Sequence, residues 1–189
     1  MADIKKLLEE SGALLNGHFK LTSGRHSDQY VEKIKLINQP EKVEILCGEL
    51  TEKLKNVDCD IVVGPAMGGI VLAYEVAKKL GKKFVFTQRK NGKMSIRSGF
   101  EINPDDKAII IEDIVTTGGS VKEVIQALED RKVKVEAVGL IVDRSGGEAD
   151  FGIPTYSLLT LNIDNWLPEE CPLCKKGTSI TSPGRSDKK

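Results

Sequence analysis

Short runs of Ile and Val that alternate with helix-patterned segments constrain this chain more than any other feature. Residues 60–64 (Asp-Ile-Val-Val-Gly) read as a buried strand, and residues 70–80 as a helix stopped by Gly81. Residues 83–87 form the next strand, and 108–111 (Ala-Ile-Ile-Ile) another that leads to a helix over 120–130. A long strand over 133–142 and a last one over 156–161 follow. Strands apolar on both faces must be covered on both, so the pattern predicts an α/β fold with a central parallel sheet flanked by helices. Upstream, Ile4, Leu7 and Leu8 mark a helix over 3–11 closed by Gly12. Pro40 opens a second helix, striped by Val43, Leu46, Cys47, Leu50 and Leu54. Between them, residues 18–37 read as irregular and extended, with a turn at Ser23-Gly24 and alternation near Tyr30-Val31. With 189 residues, we expect one domain over 1–174 and a polar, disordered tail over 175–189.

Charge excludes several partner classes. Lys and Arg number 28, as do Asp and Glu, so no overall field favours nucleic acid or an anionic membrane. The longest apolar run, 137–142 with Gly139 inside it, falls far short of the ~18 residues of a membrane span. No signal-peptide core is seen near Met1, and a cytoplasmic location is expected. Cys47 and Cys59 read as small buried apolar groups. Cys171-Pro172-Leu173-Cys174 has the spacing of half a zinc knuckle, but no second pair follows, and His18 and His26 lie far upstream. The reading favoured is a pair of reduced thiols in a C-terminal turn; a zinc shared with another chain or a redox pair are the alternatives.

In an open parallel sheet, ligands bind beyond the carboxyl ends of the strands, which directs attention to the loops after Val63, Thr87 and Ile111. The third is the most informative: Glu112-Asp113-Ile114-Val115-Thr116-Thr117-Gly118-Gly119-Ser120. Two adjacent carboxylates end a buried strand, and hydroxyls and glycines then lead into a helix. Such a turn aims consecutive N–H groups and hydroxyls at one anion, helped by the positive end of the helix. The carboxylates can accept hydrogen bonds from vicinal hydroxyls beside that anion. A phosphate cradle next to diol acceptors describes a ribose 5-phosphate site. Neither a Walker loop nor a Gly-x-Gly-x-x-Gly turn is present at this position.

This segment resembles the signature of type I phosphoribosyltransferases, which use 5-phosphoribosyl 1-pyrophosphate (PRPP). Further matches narrow the resemblance to the orotate phosphoribosyltransferase family, and within it to a Thermus-like bacterial branch with a Cys-Pro-Leu-Cys ending. Residues 19–30, from Phe19 to Tyr30, are similar to its orotate-site segment, and Ala66, Met67, Gly68 and Gly69 to its pyrophosphate loop. Arg89-Lys90-Asn91-Gly92-Lys93 is similar to its mobile catalytic loop, and Asp143-Arg144 to its base-binding pair. The resemblance implies a type I fold with a small N-terminal hood, built from about residues 1–37 and the C-terminal part, and a mobile hairpin loop. It implies transfer of ribose 5-phosphate from PRPP to N1 of orotate, giving orotidine 5-monophosphate and pyrophosphate in UMP synthesis. Glu112 and Asp113 then hold the ribose hydroxyls, residues 114–120 the PRPP phosphate, and Arg89, Lys90 and Lys93 the leaving pyrophosphate. Thr116, Arg144 and Tyr30 contact orotate, and Asp113, Lys93, Arg89 and Lys90 carry the catalysis. Mg2+ is the expected cofactor, held mainly by PRPP rather than by direct protein ligands. A homodimer whose mobile loop acts on the neighbouring site is the expected assembly.

The four cations Arg89, Lys90, Lys93 and Arg97 surround a flexible turn without an intervening acid, so the segment can close over a polyphosphate. Three positions depart from the family pattern: Thr22 stands for a lysine, Met67-Gly68 for an aromatic-lysine pair, and Ser95 near a loop histidine. Gly68-Gly69 leaves room for backbone N–H groups to approach an anion. Two other readings remain open: a purine or xanthine phosphoribosyltransferase, which needs no carboxylate-pairing arginine, and a PRPP-sensing regulator without catalysis.

Overall fold

The computed structural model describes residues 2–21 and 23–183. Helix α1 (Ile4–Glu10) begins at Asp3, whose side chain accepts a hydrogen bond from the Lys6 N–H. An antiparallel pair follows, β1 (Leu14–Lys20) and β2 (His26–Val31), then α2 (Lys33–Ile37) and α3 (Pro40–Leu54). The segment expected to be irregular is therefore paired. Alternation is hard to read there because a bulge interrupts the register between Asn16 and Phe19, which leaves consecutive His18 and Phe19 both buried. Next come β3 (Ile61–Pro65), α4 (Gly68–Leu80), β4 (Lys83–Lys90) and β5 (Lys93–Ile96). The remaining elements are β6 (Lys107–Val115), α5 (Gly119–Glu129), β7 (Lys134–Asp143), β8 (Thr155–Thr160), β9 (Asn165–Trp166) and α6 (Pro172–Lys175).

Six strands make the main sheet in the order β5-β4-β3-β6-β7-β8, all parallel except the β4–β5 hairpin. Side chains alternate across it as strand geometry requires. Ile109 and Ile111 pack with Leu46, Leu50 and Leu54 of α3 and Leu72 and Val76 of α4. Ile110 faces the other side, with Val121, Val124 and Leu128 of α5. Gly139 lets α3 approach closely: a Cβ there would lie 2.8 Å from Ile111 Cδ1 and 3.0 Å from Leu54 Cδ1. The order reverses between β3 and β6, which opens a crevice at their carboxyl ends.

A second sheet, β1-β2-β9, forms the hood. The chain does not become featureless at Lys175, as its composition led us to expect. Thr181 donates its N–H to the His18 carbonyl and accepts from the Lys20 N–H, both at 2.8 Å, so this stretch runs alongside β1. The rest of the expected tail, residues 184–189, lies outside the described residues, as does Thr22. Among the described residues no helix is long and apolar enough to cross a membrane.

Candidate active site

Strand β6 runs four residues further than its aliphatic run suggests, carrying Glu112 and Asp113 inside the sheet rather than after it. Both are buried. Glu112 accepts from the Asp113 N–H at 3.0 Å, and Asp113 Oδ1 from the Ile114 N–H at 2.7 Å. Burial, reinforced by the Asp113 charge, pushes the Glu112 carboxyl up to about 8. The other Asp113 oxygen, Oδ2, faces the Lys33 ammonium at 3.1 Å. Burial opposes the charge on Lys33, yet Asp113 and then Glu112 hold its pKa above the ordinary value. Lys33 comes from α2 beneath the hood and was not among the residues singled out from sequence. Nothing in its local pattern marks it, because its importance depends on a contact eighty positions away.

After Val115 the chain turns through exposed Thr116 and Thr117 into Gly118, whose φ of 75° lies in the left-handed region. A Cβ at Gly118 would also lie 2.6 Å from the Phe151 ring, so the turn and the packing both require glycine here. Helix α5 then starts with no side-chain cap, leaving its first-turn N–H groups available to a ligand. Together with Arg89, Glu112 and Glu123, residues 114–121 line a cavity of about 310 Å3. Glu112, Ile114, Val115, Thr116, Thr117, Gly118, Gly119 and Ser120 are thus brought together; Asp113 lies behind this wall, against Lys33 and α4.

The 66–69 turn closes the neighbouring strand end. The Ala66–Met67 peptide is cis, and the Ala66 N–H donates to the Thr87 carbonyl at 2.7 Å. A Cβ on Gly68 would collide with Asp113 Oδ2, and one on Gly69 would lie 2.7 Å from Pro65 Cδ and 2.9 Å from the Ile111 carbonyl. The glycine pair therefore also serves packing: it seats the start of α4 directly on the end of β6.

Three sequence readings need correction. The segment after Thr87 is not a strand-to-helix loop, because β4 continues to Lys90 and turns back at Asn91-Gly92, with φ of 53° and 80°, into β5. Nor are its cations without an acid: Glu123 of α5 pairs with Arg89 at 2.7 Å, a partner invisible at a separation of 34 residues. Lys93 lines a different cavity from Glu112, with Glu123 and Gln126 of α5 and the following Asp130, while Lys90 is exposed. Finally, the Cys171-x-x-Cys174 pair is not isolated, since His18 and His26 stand beside it.

Arg144 follows β7, and its N–H donates to the Val115 carbonyl at 2.8 Å, fixing it beside the β6 loop. It is not taken up by its neighbour: Asp143 accepts from the N–H and hydroxyl of Ser145. Burial lowers the Arg144 pKa, Tyr30 partly offsets this, and the buried Nε has no hydrogen-bond partner among the described residues. Tyr30 itself lies on β2, tilted against Phe19 with ring centroids 5.8 Å apart. A strand end bearing two acids and an uncapped helix start thus adjoin one cavity, with Arg144 held by its backbone beside the same loop.

Residues 34–173 match the family described as the phosphoribosyl transferase domain. The chain is 48% identical over 184 residues to an orotate phosphoribosyltransferase of Carboxydothermus hydrogenoformans, covering 96% of both chains. It is 50% identical over 181 residues to that of Thermotoga petrophila, covering 96% of this chain and 97% of the relative. The crystal structure of orotate phosphoribosyltransferase from Aeropyrum pernix superposes with a TM-score of 0.71 at 26% identity, over 84% of this chain and 93% of that one. An adenine phosphoribosyltransferase from Rhodothermus marinus shares the fold at 18% identity and a TM-score of 0.65, so the fold alone does not choose the base. Similarity over nearly the whole length does choose: the chain belongs to the phosphoribosyltransferases, and among them to the orotate phosphoribosyltransferase family.

Proposed function

We propose that the crevice transfers ribose 5-phosphate from PRPP to N1 of orotate, releasing pyrophosphate. The observation that carries this reading is the Glu112-Asp113 pair beside the uncapped start of α5. Hydroxyl acceptors and phosphate donors meet there at one strand end. The 5-phosphate sits on the N–H groups and hydroxyls of residues 116–120. Glu112 accepts hydrogen bonds from the ribose hydroxyls, and Asp113 places negative charge where the sugar becomes oxocarbenium-like. The carboxylate of orotate meets the planar fork of Arg144, whose Nε has no partner among the described residues, and Tyr30 lies against the pyrimidine. Orotate is already an anion, so no strong base is required; positioning and charge neutralisation supply the acceleration.

Mg2+ borne by PRPP fits this site, because Glu112 and Asp113 are adjacent buried carboxyls, and the half-exposed Lys33 ammonium faces Asp113 Oδ2 alone. Held by the pyrophosphate and ribose hydroxyls, with Glu112 and Asp113 behind those hydroxyls, the ion would supply charge neutralisation at the leaving group. Arg89 reaches the cavity of its own chain, whereas Lys93 does not. We assign Lys93 and Lys90 to the site of a second copy in a homodimer. Met67, just before α4, and Val71 and Tyr74 on it support that assembly: at helical spacing they are 80%, 39% and 58% exposed, an apolar stripe beside the pyrophosphate turn.

Incubation with PRPP and Mg2+ and a panel of orotate, uracil, xanthine and adenine, following pyrophosphate, tests the reading. Release with orotate alone is expected. Release driven by a purine, or PRPP binding without release for any base, would overturn it.

A further inference from the structure

Four metal-ligating side chains that play no part in the proposed transfer meet behind the hood. His18 comes from β1, His26 from β2, and Cys171 and Cys174 from the turn that opens α6. Their ligand atoms all lie within 4.8 Å of one another. His18 Nε2 is 3.1 Å from His26 Nδ1, 3.4 Å from Cys171 Sγ and 3.7 Å from Cys174 Sγ. Cys174 Sγ is 3.2 Å from His26 Nδ1. Zinc in a tetrahedron, with bonds of about 2.3 Å to sulfur and 2.0–2.1 Å to nitrogen, sets its ligands about 3.3 Å apart for N···N and about 3.5 Å for N···S. The three N···S spacings bracket the second value, and the N···N spacing of 3.1 Å lies close to the first. We propose that His18, His26, Cys171 and Cys174 bind one structural Zn2+ that fastens the C-terminal segment to the hood.

Local structure is arranged for this. The β1 bulge turns His18 inward beside Phe19, where strict alternation would have sent one of the two outward. His18 Nδ1 is 2.9 Å from the Thr178 carbonyl; with its proton on Nδ1 the ring donates there and directs the Nε2 lone pair into the cluster. The acceptor belongs to the same C-terminal stretch that pairs with β1 at Thr181, so backbone and ligands fasten one segment twice. Pro172 opens the short α6, and its turn places both sulfurs on one side. All four positions are taken by protein, which describes a closed structural site rather than a catalytic one. On binding, the two thiols give their protons to solvent, and two thiolates balance the charge of the ion, so the unit is neutral, with Cys174 at its exposed edge. With separations of 8 residues between the histidines and 145 from His26 to Cys171, the site forms only after the two chain ends meet.

The test uses the full untagged chain purified without chelator. Elemental analysis is expected to give one zinc per chain. Cobalt reconstitution is expected to show the ligand-field bands of a tetrahedral site and thiolate-to-cobalt charge transfer. Cys174→Ser and His26→Gln should each lower zinc content at least tenfold, and Cys59→Ser should leave it unchanged. Chelation of wild type should lower the melting temperature and render Cys171 and Cys174 reactive to a thiol reagent. Should the single variants fail to fold, the cobalt spectrum and the chelator-dependent thiol count of wild type still decide. Two freely reactive thiols in metal-free, undiminished protein, or a Cys171–Cys174 disulfide in its mass spectrum, would overturn the proposal.

Discussion

Replacing Glu112 by Gln tests the electrostatics of the crevice directly. Burial and the neighbouring Asp113 raise this carboxyl from 4.5 to about 8, so at pH 7 about nine-tenths of the empty protein carries a proton on it. Ribose hydroxyls donate hydrogen bonds, and a carboxylate accepts them more strongly than a carboxylic acid does. PRPP binding with Mg2+ should therefore expel close to one proton from Glu112 at pH 7 and almost none at pH 9.5. Calorimetry in buffers of different ionisation enthalpy measures that release, and Glu112→Gln supplies the baseline that includes the ligand's own phosphates. The same shift appears in stability. The native state holds this proton more tightly than the unfolded chain, so its contribution is fullest below pH 4.5 and is lost as pH climbs towards 8. A shift of that size corresponds to a loss on the order of 5 kcal/mol for the empty protein, which Glu112→Gln should largely abolish. Identical buffer dependence in wild type and variant, with parallel pH–stability curves, would refute the assignment.

Lys33→Met should destabilise the fold by about 1–2 kcal/mol, between an exposed and a fully buried pair, because Lys33 is half-exposed while Asp113 is buried. Thermal melting should drop by about 2–8 °C, and an unchanged melting point would mean the contact contributes nothing. Arg144→Lys should raise the KM for orotate more than that for PRPP, since a point charge cannot reproduce a planar fork; equal changes would deny it contact with the base. Asp113→Asn should reduce kcat by about 10²–10³ with the fold intact, as judged by circular dichroism, and near wild-type turnover would remove it from the mechanism. Mixing Asp113→Asn with Lys93→Ala chains should restore about a quarter of wild-type activity. Random pairing makes about half the dimers mixed, each with one intact site; verified mixed dimers without activity would place Lys93 in its own subunit's site.

The sheet was legible because its strands are buried on both faces, and unbroken Ile and Val admit few other arrangements. The acid pair and glycine turn were legible for a related reason: the chemistry is local, contained in nine consecutive residues. Most of what escaped the sequence is long-range. Glu123 reaches Arg89 across 34 positions, Lys33 reaches Asp113 across 80, and His18 reaches Cys171 across 153. Each partner is an ordinary residue in its own segment, and only tertiary folding gives it a role. The hood hairpin was missed for a different reason, since a single extra residue in β1 destroys the period-two pattern that identifies a strand.

Of these long-range contacts, that of Lys33 with Asp113 lies at the boundary between the hood and the main sheet. Two of the proposed substrate contacts sit on opposite sides of that boundary, Tyr30 on β2 and Arg144 after β7, so the base site exists only while the two parts hold their relative position. The hood has a small sheet with a two-residue third strand, too little to fix that position by its own pairing. Leu14 and Val31 anchor it in the main core, and Lys33 ties it to Asp113 at the crevice. The Cys and His cluster joins hood strands β1 and β2 to the segment around α6. Loosening that cluster should therefore weaken orotate binding before it weakens PRPP binding, because the phosphate cradle lies wholly on β6 and α5 and does not depend on the hood.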